Sequence, residues 1–120
     1  MKIVSVSENQ SIEKRIAITP EIAKKYISLG FEVFLSKNYG IHLGIADEEY
    51  QNVGVKTSNN EKEILNDANV VVQLGLLSDE KCSSLKQDQT IIGVLNPYDN
   101  KNKLDDLTKK KINVFSLELL

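Results

Sequence analysis

The sequence is poor in several residue types that would point to particular classes of protein. It has one cysteine, one histidine, two prolines and no tryptophan among 120 residues. The single Cys82 excludes an internal disulfide and a zinc site built from cysteines. His42 stands without a nearby cysteine or second histidine, so its position predicts a loop or surface role and no metal site. A net charge of −2 provides no basic surface for nucleic acid or anionic lipid.

Several sequence motifs with known chemistry are also missing. There is no Gly-x-Gly-x-x-Gly fingerprint, P-loop, His-Glu-x-x-His or Gly-x-Ser-x-Gly. Gly40 and Gly44 do not lie between a strand and a long helix, and no carboxylate pair has a spacing typical of acid–base catalysis. No apolar run approaches the roughly 18 residues of a membrane span. A strand is predicted directly after Met1, so we expect no signal or transit peptide.

What is present is an alternation of short apolar strands and amphipathic helices. The predicted strands are 2–6, 31–35, 55–57, 70–74, 90–95 and 112–119. The predicted helices are 20–29, 47–53, 61–66, 78–85 and 100–111. This order favours an α/β fold with a mostly parallel sheet, and the nearly continuous apolar strand at 70–74 suits a sheet covered on both faces.

Local signals mark several helix ends. Thr19 is the expected N-cap of the first helix and Pro20 its first residue, while Gly30 is expected to end it with a left-handed backbone. Asp47 and Ser78 are predicted N-caps of two later helices. Residues 112–119 are apolar up to the final Leu120, so we expect the domain to be incomplete at its C-terminus and to continue in a longer protein.

Three polar residues are predicted to meet at one edge of the sheet. Arg15 lies between a strand and a helix, where ligands bind in open α/β sheets, and its planar guanidinium suits a carboxylate or phosphate. A structural ion pair is the alternative for Arg15. Gln73 interrupts an apolar strand and either faces the cleft or needs buried hydrogen bonds. Asn96 follows another strand and either faces the same crevice or starts a turn before Pro97.

A series of motifs resembles one family along the whole chain. Residues 13–20 read Glu-Lys-Arg-Ile-Ala-Ile-Thr-Pro, which resembles the Glu-x-Arg-Val-Ala-x-Thr-Pro pattern of the N-terminal domain shared by alanine dehydrogenase and the alpha subunit of NAD(P) transhydrogenase. Further similar segments follow in order at 29–33, 40–50, 67–71, 95–97 and 115–119. The resemblance implies a flavodoxin-like or Rossmann-like three-layer domain over residues 1–120. The NAD-binding Rossmann domain would then lie beyond residue 120.

Departures from the family pattern favour the transhydrogenase branch. Alanine dehydrogenases resembling this chain carry a catalytic lysine where Gly75 stands and a histidine where Asn96 stands. Neither Gly75 nor Asn96 can act as a general acid or base near neutral pH. The family also often has lysine in place of Gln73 and proline in place of Leu77. Hydride transfer between two nicotinamides needs no such acid–base pair, so a transhydrogenase tolerates these losses.

The resemblance implies the following functional expectations. The full protein would be an oxidoreductase that transfers hydride between NADH and NADP and couples this to proton translocation. NAD(H) would be bound mainly outside this fragment, which would contain no catalytic residue, cofactor site or metal and would be inactive alone. Arg15, Gln73 and Asn96 would be interdomain-cleft or anion contacts. Expected partners are the protein's own Rossmann domain, an NADP-binding membrane subunit and a second copy in a homodimer. The expected location is cytoplasmic and peripheral to the inner membrane.

Two alternatives remain open from the sequence. One is an alanine dehydrogenase-like oxidoreductase domain with altered catalytic residues. The other is a non-enzymatic module in which Arg15 binds a small carboxylate or forms only a salt bridge.

Overall fold

The structure, a computed structural model, describes residues 1–7, 15–75, 79–93 and 101–116. Within these residues the strands are β1 Lys2–Ser5, β2 Glu32–Ser36, β3 Lys56–Ser58, β4 Val70–Gln73, β5 Thr90–Gly93 and β6 Asn113–Ser116. The helices are α1 Pro20–Ser28, α2 Asp47–Gln51, α3 Glu61–Asp67, α4 Asp79–Cys82 and α5 Lys101–Lys109, with a 3-10 turn at Ile41–Leu43. The expected α/β fold is confirmed.

All six strands are parallel and lie in the order β3-β2-β1-β4-β5-β6. This is the strand order of the Rossmann-like doubly wound sheet. The chain first winds from β1 outward to β3, then crosses back and winds from β4 outward to β6. Because parallel crossovers are right-handed, the two directions place their helices on opposite faces of the sheet.

Two separate hydrophobic layers show this three-layer arrangement. One face carries α1 and α2, and its layer includes Ile18, Val33 and Leu35. The opposite face carries α3, α4 and α5, and its layer includes Val71 and Ile91. The α1/α2 face continues over β5 and β6, but no helix of the described residues covers it there. Ile92 is consequently only partly buried, and Phe115 is 52 % exposed.

The start of α1 follows from its sequence. Thr19 is the N-cap, and its hydroxyl accepts a hydrogen bond from the Ile22 N–H at 3.3 Å. Pro20 is the first helical residue, where its missing N–H leaves no gap in the helix. Gly30 follows the C-cap with φ of +96°, a conformation that glycine adopts at little cost. These three predictions are confirmed.

The prediction that Asp47 caps α2 is wrong. Ala46 is the N-cap, Asp47 is the first helical residue, and both Asp47 carboxylate oxygens accept from the Asn38 N–H at 3.0 Å. Glu49 instead reaches back to the Ala46 N–H at 3.0 Å. The carboxylate of Asp47 therefore stabilises the preceding loop, and Glu49 satisfies the exposed helix end.

Other element ends shift by a few residues. Predicted helix 78–85 ends at Cys82, and the hydrogen bonds from Ser84 N to Lys81 O and from Leu85 N to Cys82 O continue it as a tighter turn. The predicted cap Ser78 lies outside the described residues, as do positions 94–95 and 117–119 of the last two predicted strands. Cys82 is buried in the α3/α4/α5 layer. No helix in the described part of the chain is long and apolar enough to cross a membrane.

Candidate functional site

The candidate site is the crevice at the carboxyl ends of β1 and β4. These neighbouring strands are the point at which the winding of the sheet reverses, and ligands of doubly wound sheets bind outside this switch point. Backbone pairing between the two strands covers Ile3 with Val70 and Val4 with Val71. Beyond these pairs the strand ends are joined by side chains, which determine how much of the crevice is open.

Gln73 bridges the two strands at the switch point. Its Oε1 accepts from the Val6 N–H at 2.7 Å, and its Nε2 donates to the Val6 carbonyl at 3.0 Å. The Ser5 hydroxyl donates to the same Oε1 at 2.9 Å. Gln73 is 2 % exposed, so the structure shows the buried hydrogen bonds that were one of the two alternatives for this residue. Its amide replaces the missing backbone pairing between β1 and β4.

Tyr39 extends this bonding to the chain that enters α1. Its hydroxyl lies 2.8 Å from Ser5 Oγ and accepts from the backbone N–H groups of Ala17 and Ile18 at 3.1 and 3.2 Å. Sequence analysis assigned Tyr39 only to the loop 37–46. No motif marked it, although a large aromatic residue immediately before Gly40 was a signal of tight packing.

A second tyrosine supports the same segment. The Tyr50 hydroxyl donates to the Ile18 carbonyl at 2.8 Å, and its ring meets that of Tyr39 edge-on, with centroids 5.9 Å apart. Burial raises the pKa of the Tyr50 hydroxyl, and the nearby Tyr39, Glu49 and Asp47 add to the rise. Tyr50 is therefore a neutral donor at physiological pH, and both backbone polar groups of Ile18 are bonded to tyrosine hydroxyls.

Gly40 allows the two tyrosines to pack in this way. A Cβ at this position would lie 3.1 Å from Ile45 Cβ and 3.2 Å from the Tyr50 hydroxyl oxygen. Both distances are shorter than ordinary carbon contacts. The glycine is needed for space, since its φ of −111° is accessible to other residues.

The structure locates two of the three predicted site residues. Arg15 is exposed and lies two residues before Ala17, at the start of the segment that Tyr39 holds. Gln73 lies in the crevice itself, with its amide committed to Val6 and Ser5. Asn96 lies outside the described residues. Contact of these residues with a ligand or with another domain stays a prediction.

A second polar group lies beside the crevice, toward β2 and β3. The Ser36 hydroxyl accepts from the Ser7 N–H at 2.8 Å, and Lys81 donates to the Ser7 carbonyl at 2.9 Å while lying 3.5 Å from Glu61. These groups border a cavity of about 250 Å³, lined by Ser7, Ser36, Lys37, Ser58, Asn59 and Glu61. The lining is polar and carries both signs of charge, so it has no strong preference for an anion.

The residues at this edge do not form a dinucleotide site. The β1–α1 connection has no glycine between Val6 and Pro20, so it cannot form the close phosphate-binding turn of the fingerprint. The Gln73 amide also occupies the gap between the strand ends. Among the described residues, no group of three or more histidine, cysteine, aspartate or glutamate side chains is placed to bind a metal ion.

Comparison with known proteins agrees with this geometry. The model of the alanine dehydrogenase/PNT N-terminal domain matches residues 5–120. The chain is 37 % identical over 124 residues to the first of the separately encoded pieces of the NAD(P) transhydrogenase alpha subunit in Rickettsia prowazekii (strain Madrid E), covering 100 % of this chain and 32 % of the relative. The protein of the same name from Rhodospirillum rubrum is 30 % identical over 125 residues, with 100 % of this chain and 33 % of the relative covered.

A solved structure extends the similarity to the fold. The crystal structure of transhydrogenase from Sinorhizobium meliloti superposes with a TM-score of 0.90 at 26 % identity, covering 98 % of this chain and 35 % of that one. The chain thus spans about a third of the length of the relatives it matches. It belongs to the family of alanine dehydrogenase/PNT N-terminal domains.

Proposed function

We propose that the chain forms the N-terminal portion of the NAD(H)-binding component of a proton-translocating NAD(P) transhydrogenase. The observation that carries this proposal is the 37 % identity over the whole chain to a transhydrogenase alpha subunit. In the full protein the enzyme transfers hydride between NADH and NADP. The nicotinamide nucleotide binds mainly outside these 120 residues, because this domain lacks a glycine-rich phosphate turn.

The chemistry at the switch point supports the same proposal. Gln73 contributes a neutral amide whose polar atoms bond to Val6 and Ser5, and Gly75 has no side chain. Neither residue can take up or release a proton near neutral pH. Direct hydride transfer between two nicotinamide rings needs no proton transfer at this wall of the cleft.

The role proposed for this domain is that of a cleft wall. Arg15 is exposed at the edge where ligands of doubly wound sheets bind, and its guanidinium suits an anionic group on a nucleotide or a facing domain. The proposed partners are the protein's own Rossmann domain, an NADP-binding subunit linked to the membrane and a second copy of the same component. That assembly would place the component at the cytoplasmic side of the inner membrane.

The alternative enzyme in the family is alanine dehydrogenase. Oxidation of an amino acid to an oxo acid requires a group that accepts a proton from the substrate amine or from water. The resemblance places a lysine for this purpose at the position of Gly75, where this chain has none. We therefore propose the transhydrogenase function over amino-acid oxidation.

Two assays on the full-length protein with its partner subunits separate these functions. In the first, NADH is mixed with a spectroscopically distinct NADP analogue, and hydride transfer is followed by absorbance. In the second, NADH oxidation is measured with pyruvate and ammonium. We expect activity in the first assay alone, and pyruvate-dependent oxidation of NADH would overturn the proposal in favour of alanine dehydrogenase.

A further inference from the structure

Three buried side chains form a continuous hydrogen-bonded chain across the switch point. We name Tyr39, Ser5 and Gln73 the switch-point relay. Their exposed fractions are 1 %, 0 % and 2 %, and the two links measure 2.8 and 2.9 Å. One end bonds to the backbone of the segment that follows Arg15, and the other end bonds to Val6. The relay therefore joins the Arg15 segment to the end of the central strand.

The direction of every hydrogen bond in the relay follows from proton counting. Val6 N–H can only donate and its carbonyl can only accept, so the Gln73 amide has its oxygen toward the N–H. The Gln73 oxygen carries no proton, so the Ser5 hydroxyl donates its single proton to it. Tyr39 must then donate its own proton to Ser5.

The same counting fixes the far end of the relay. With its proton directed at Ser5, the Tyr39 oxygen accepts from the N–H groups of Ala17 and Ile18. The Ile18 side chain is fully buried and Tyr50 bonds to its carbonyl, so Ile18 has other anchors. Ala17 is half-buried and lies closer to Arg15. The Tyr39 bond is thus the polar contact that orients the segment on the Arg15 side of Ile18.

We propose that Tyr39 is a positioning residue for Arg15. Through the relay it fixes the backbone of residues 15–18 relative to the ends of β1 and β4, so that the exposed guanidinium of Arg15 is presented at the cleft in one orientation. This inference rests on the proposed function, in which Arg15 faces a bound nucleotide or a facing domain.

A buried network of this kind acts as a unit. Removing the Tyr39 hydroxyl leaves the two backbone N–H groups and the Ser5 oxygen without this partner, whereas removing the Ser5 hydroxyl keeps the Tyr39 acceptor in place. Tyr39→Phe is therefore the variant that releases the segment. Ser5→Ala breaks only the link to Gln73. Tyr26→Phe, on α1 and outside the relay, is the matched control.

The first measurement is hydrogen exchange of the full-length protein, followed by mass spectrometry on peptides covering residues 15–19 and 20–28. In Tyr39→Phe we expect exchange of the first peptide to accelerate about tenfold while the α1 peptide keeps its wild-type rate. Ser5→Ala should show a smaller acceleration, and Tyr26→Phe none in the first peptide. Unchanged exchange of residues 15–19 in Tyr39→Phe overturns the relay as an anchor, whether or not the enzyme is active.

The second measurement is steady-state hydride transfer by the full-length protein with its partner subunits. We expect Arg15→Ala and Tyr39→Phe each to raise the KM for NADH by about fivefold or more, with a smaller change in kcat. In the double variant, Tyr39→Phe should add little to Arg15→Ala, because both act through the same guanidinium. A lowered melting temperature with wild-type KM in Tyr39→Phe would show a purely structural role and overturn the proposal. Absence of hydride transfer in the wild type would instead overturn the proposed function, and the exchange measurement would still decide on the relay.

Discussion

The side-chain amide of Gln73 bonds to both backbone polar groups of Val6, at 2.7 and 3.0 Å, across 67 residues of sequence. It does for β1 what the backbone of a neighbouring strand does elsewhere in the sheet. Strand pairing at the switch point therefore depends on one side chain. The testable consequences begin with this contact.

We expect Gln73→Leu to lower the free energy of unfolding by about 2–4 kcal/mol. Leucine fits the apolar surroundings but leaves the N–H and carbonyl of Val6 and the hydroxyl of Ser5 buried without their partner. Urea unfolding monitored by circular dichroism measures the change. Gln51→Leu, at an exposed glutamine on α2, is the control and should change stability by less than about 0.5 kcal/mol. Equal effects at the two positions would contradict this account.

We expect Gly40→Ala to cost about 1–3 kcal/mol through crowding alone. The added methyl group would meet Ile45 Cβ at 3.1 Å and the Tyr50 hydroxyl at 3.2 Å, so both side chains must shift. The comparison is Gly30→Ala, where there is open space but the φ of +96° is strained for alanine. Because asparagine tolerates the left-handed conformation, Gly30→Asn should recover stability, whereas Gly40→Asn should be worse than Gly40→Ala. The reverse order would show that Gly40 is not needed for space.

Stability should fall at alkaline pH because of Tyr50. Its pKa in the folded chain is raised above the ordinary value of 10.0, so its contribution is fully present below about pH 10. Above that pH the unfolded chain loses this proton first and binds fewer protons than the folded chain. The free energy of unfolding then decreases by about 1.4 kcal/mol per pH unit from this group.

The measurement is the difference in unfolding free energy between wild type and Tyr50→Phe from about pH 8 to pH 11, a range that brackets the ordinary pKa of tyrosine. Tyr50→Phe should be less stable below that pKa, because it loses the bond to the Ile18 carbonyl. It should also have a shallower alkaline slope than the wild type. Tyr26→Phe, on the half-buried face of α1, provides the background for the other titrating groups. Parallel curves for wild type and Tyr50→Phe would contradict the raised pKa.

The 120-residue chain should not bind NADH with micromolar affinity. Its β1–α1 connection has no glycine turn, and Gln73 fills the gap between the strand ends. Calorimetric titration of the folded chain with NADH is the measurement, and the full-length protein is the positive control. Micromolar binding to the 120 residues would place the nucleotide site within this domain.

Much of the fold could be predicted because local signals and the global fold agree. Thr19 and Pro20 start α1, Gly30 ends it, and the apolar run at 70–72 belongs to a strand covered in the sheet interior. The position of Asp47 could not be predicted. Its carboxylate satisfies either a helix end or the loop backbone of Asn38, and tertiary structure decides between them.

The candidate site was only partly predictable. A polar residue inside an apolar strand identified Gln73, but its partner Val6 depends on the long-range register of β1 and β4. Tyr39 carried no local signal, since its role comes from the distance of its hydroxyl to Ser5 and to the segment after Arg15. Sequence patterns report which faces are apolar, whereas a hydrogen-bonded relay among distant side chains requires coordinates.

The uncovered face over β5 and β6 has a consequence for the dynamics of the domain. Among the described residues, these strands are packed by helices on one side only, and Phe115 remains 52 % exposed. The free energy of local opening rises with the apolar surface that opening would expose. Amide protons of β5 and β6 should therefore exchange through sub-global openings at lower free energy than those of β1 and β2, and the half-sheet that ends the described chain would be the less stable cooperative unit.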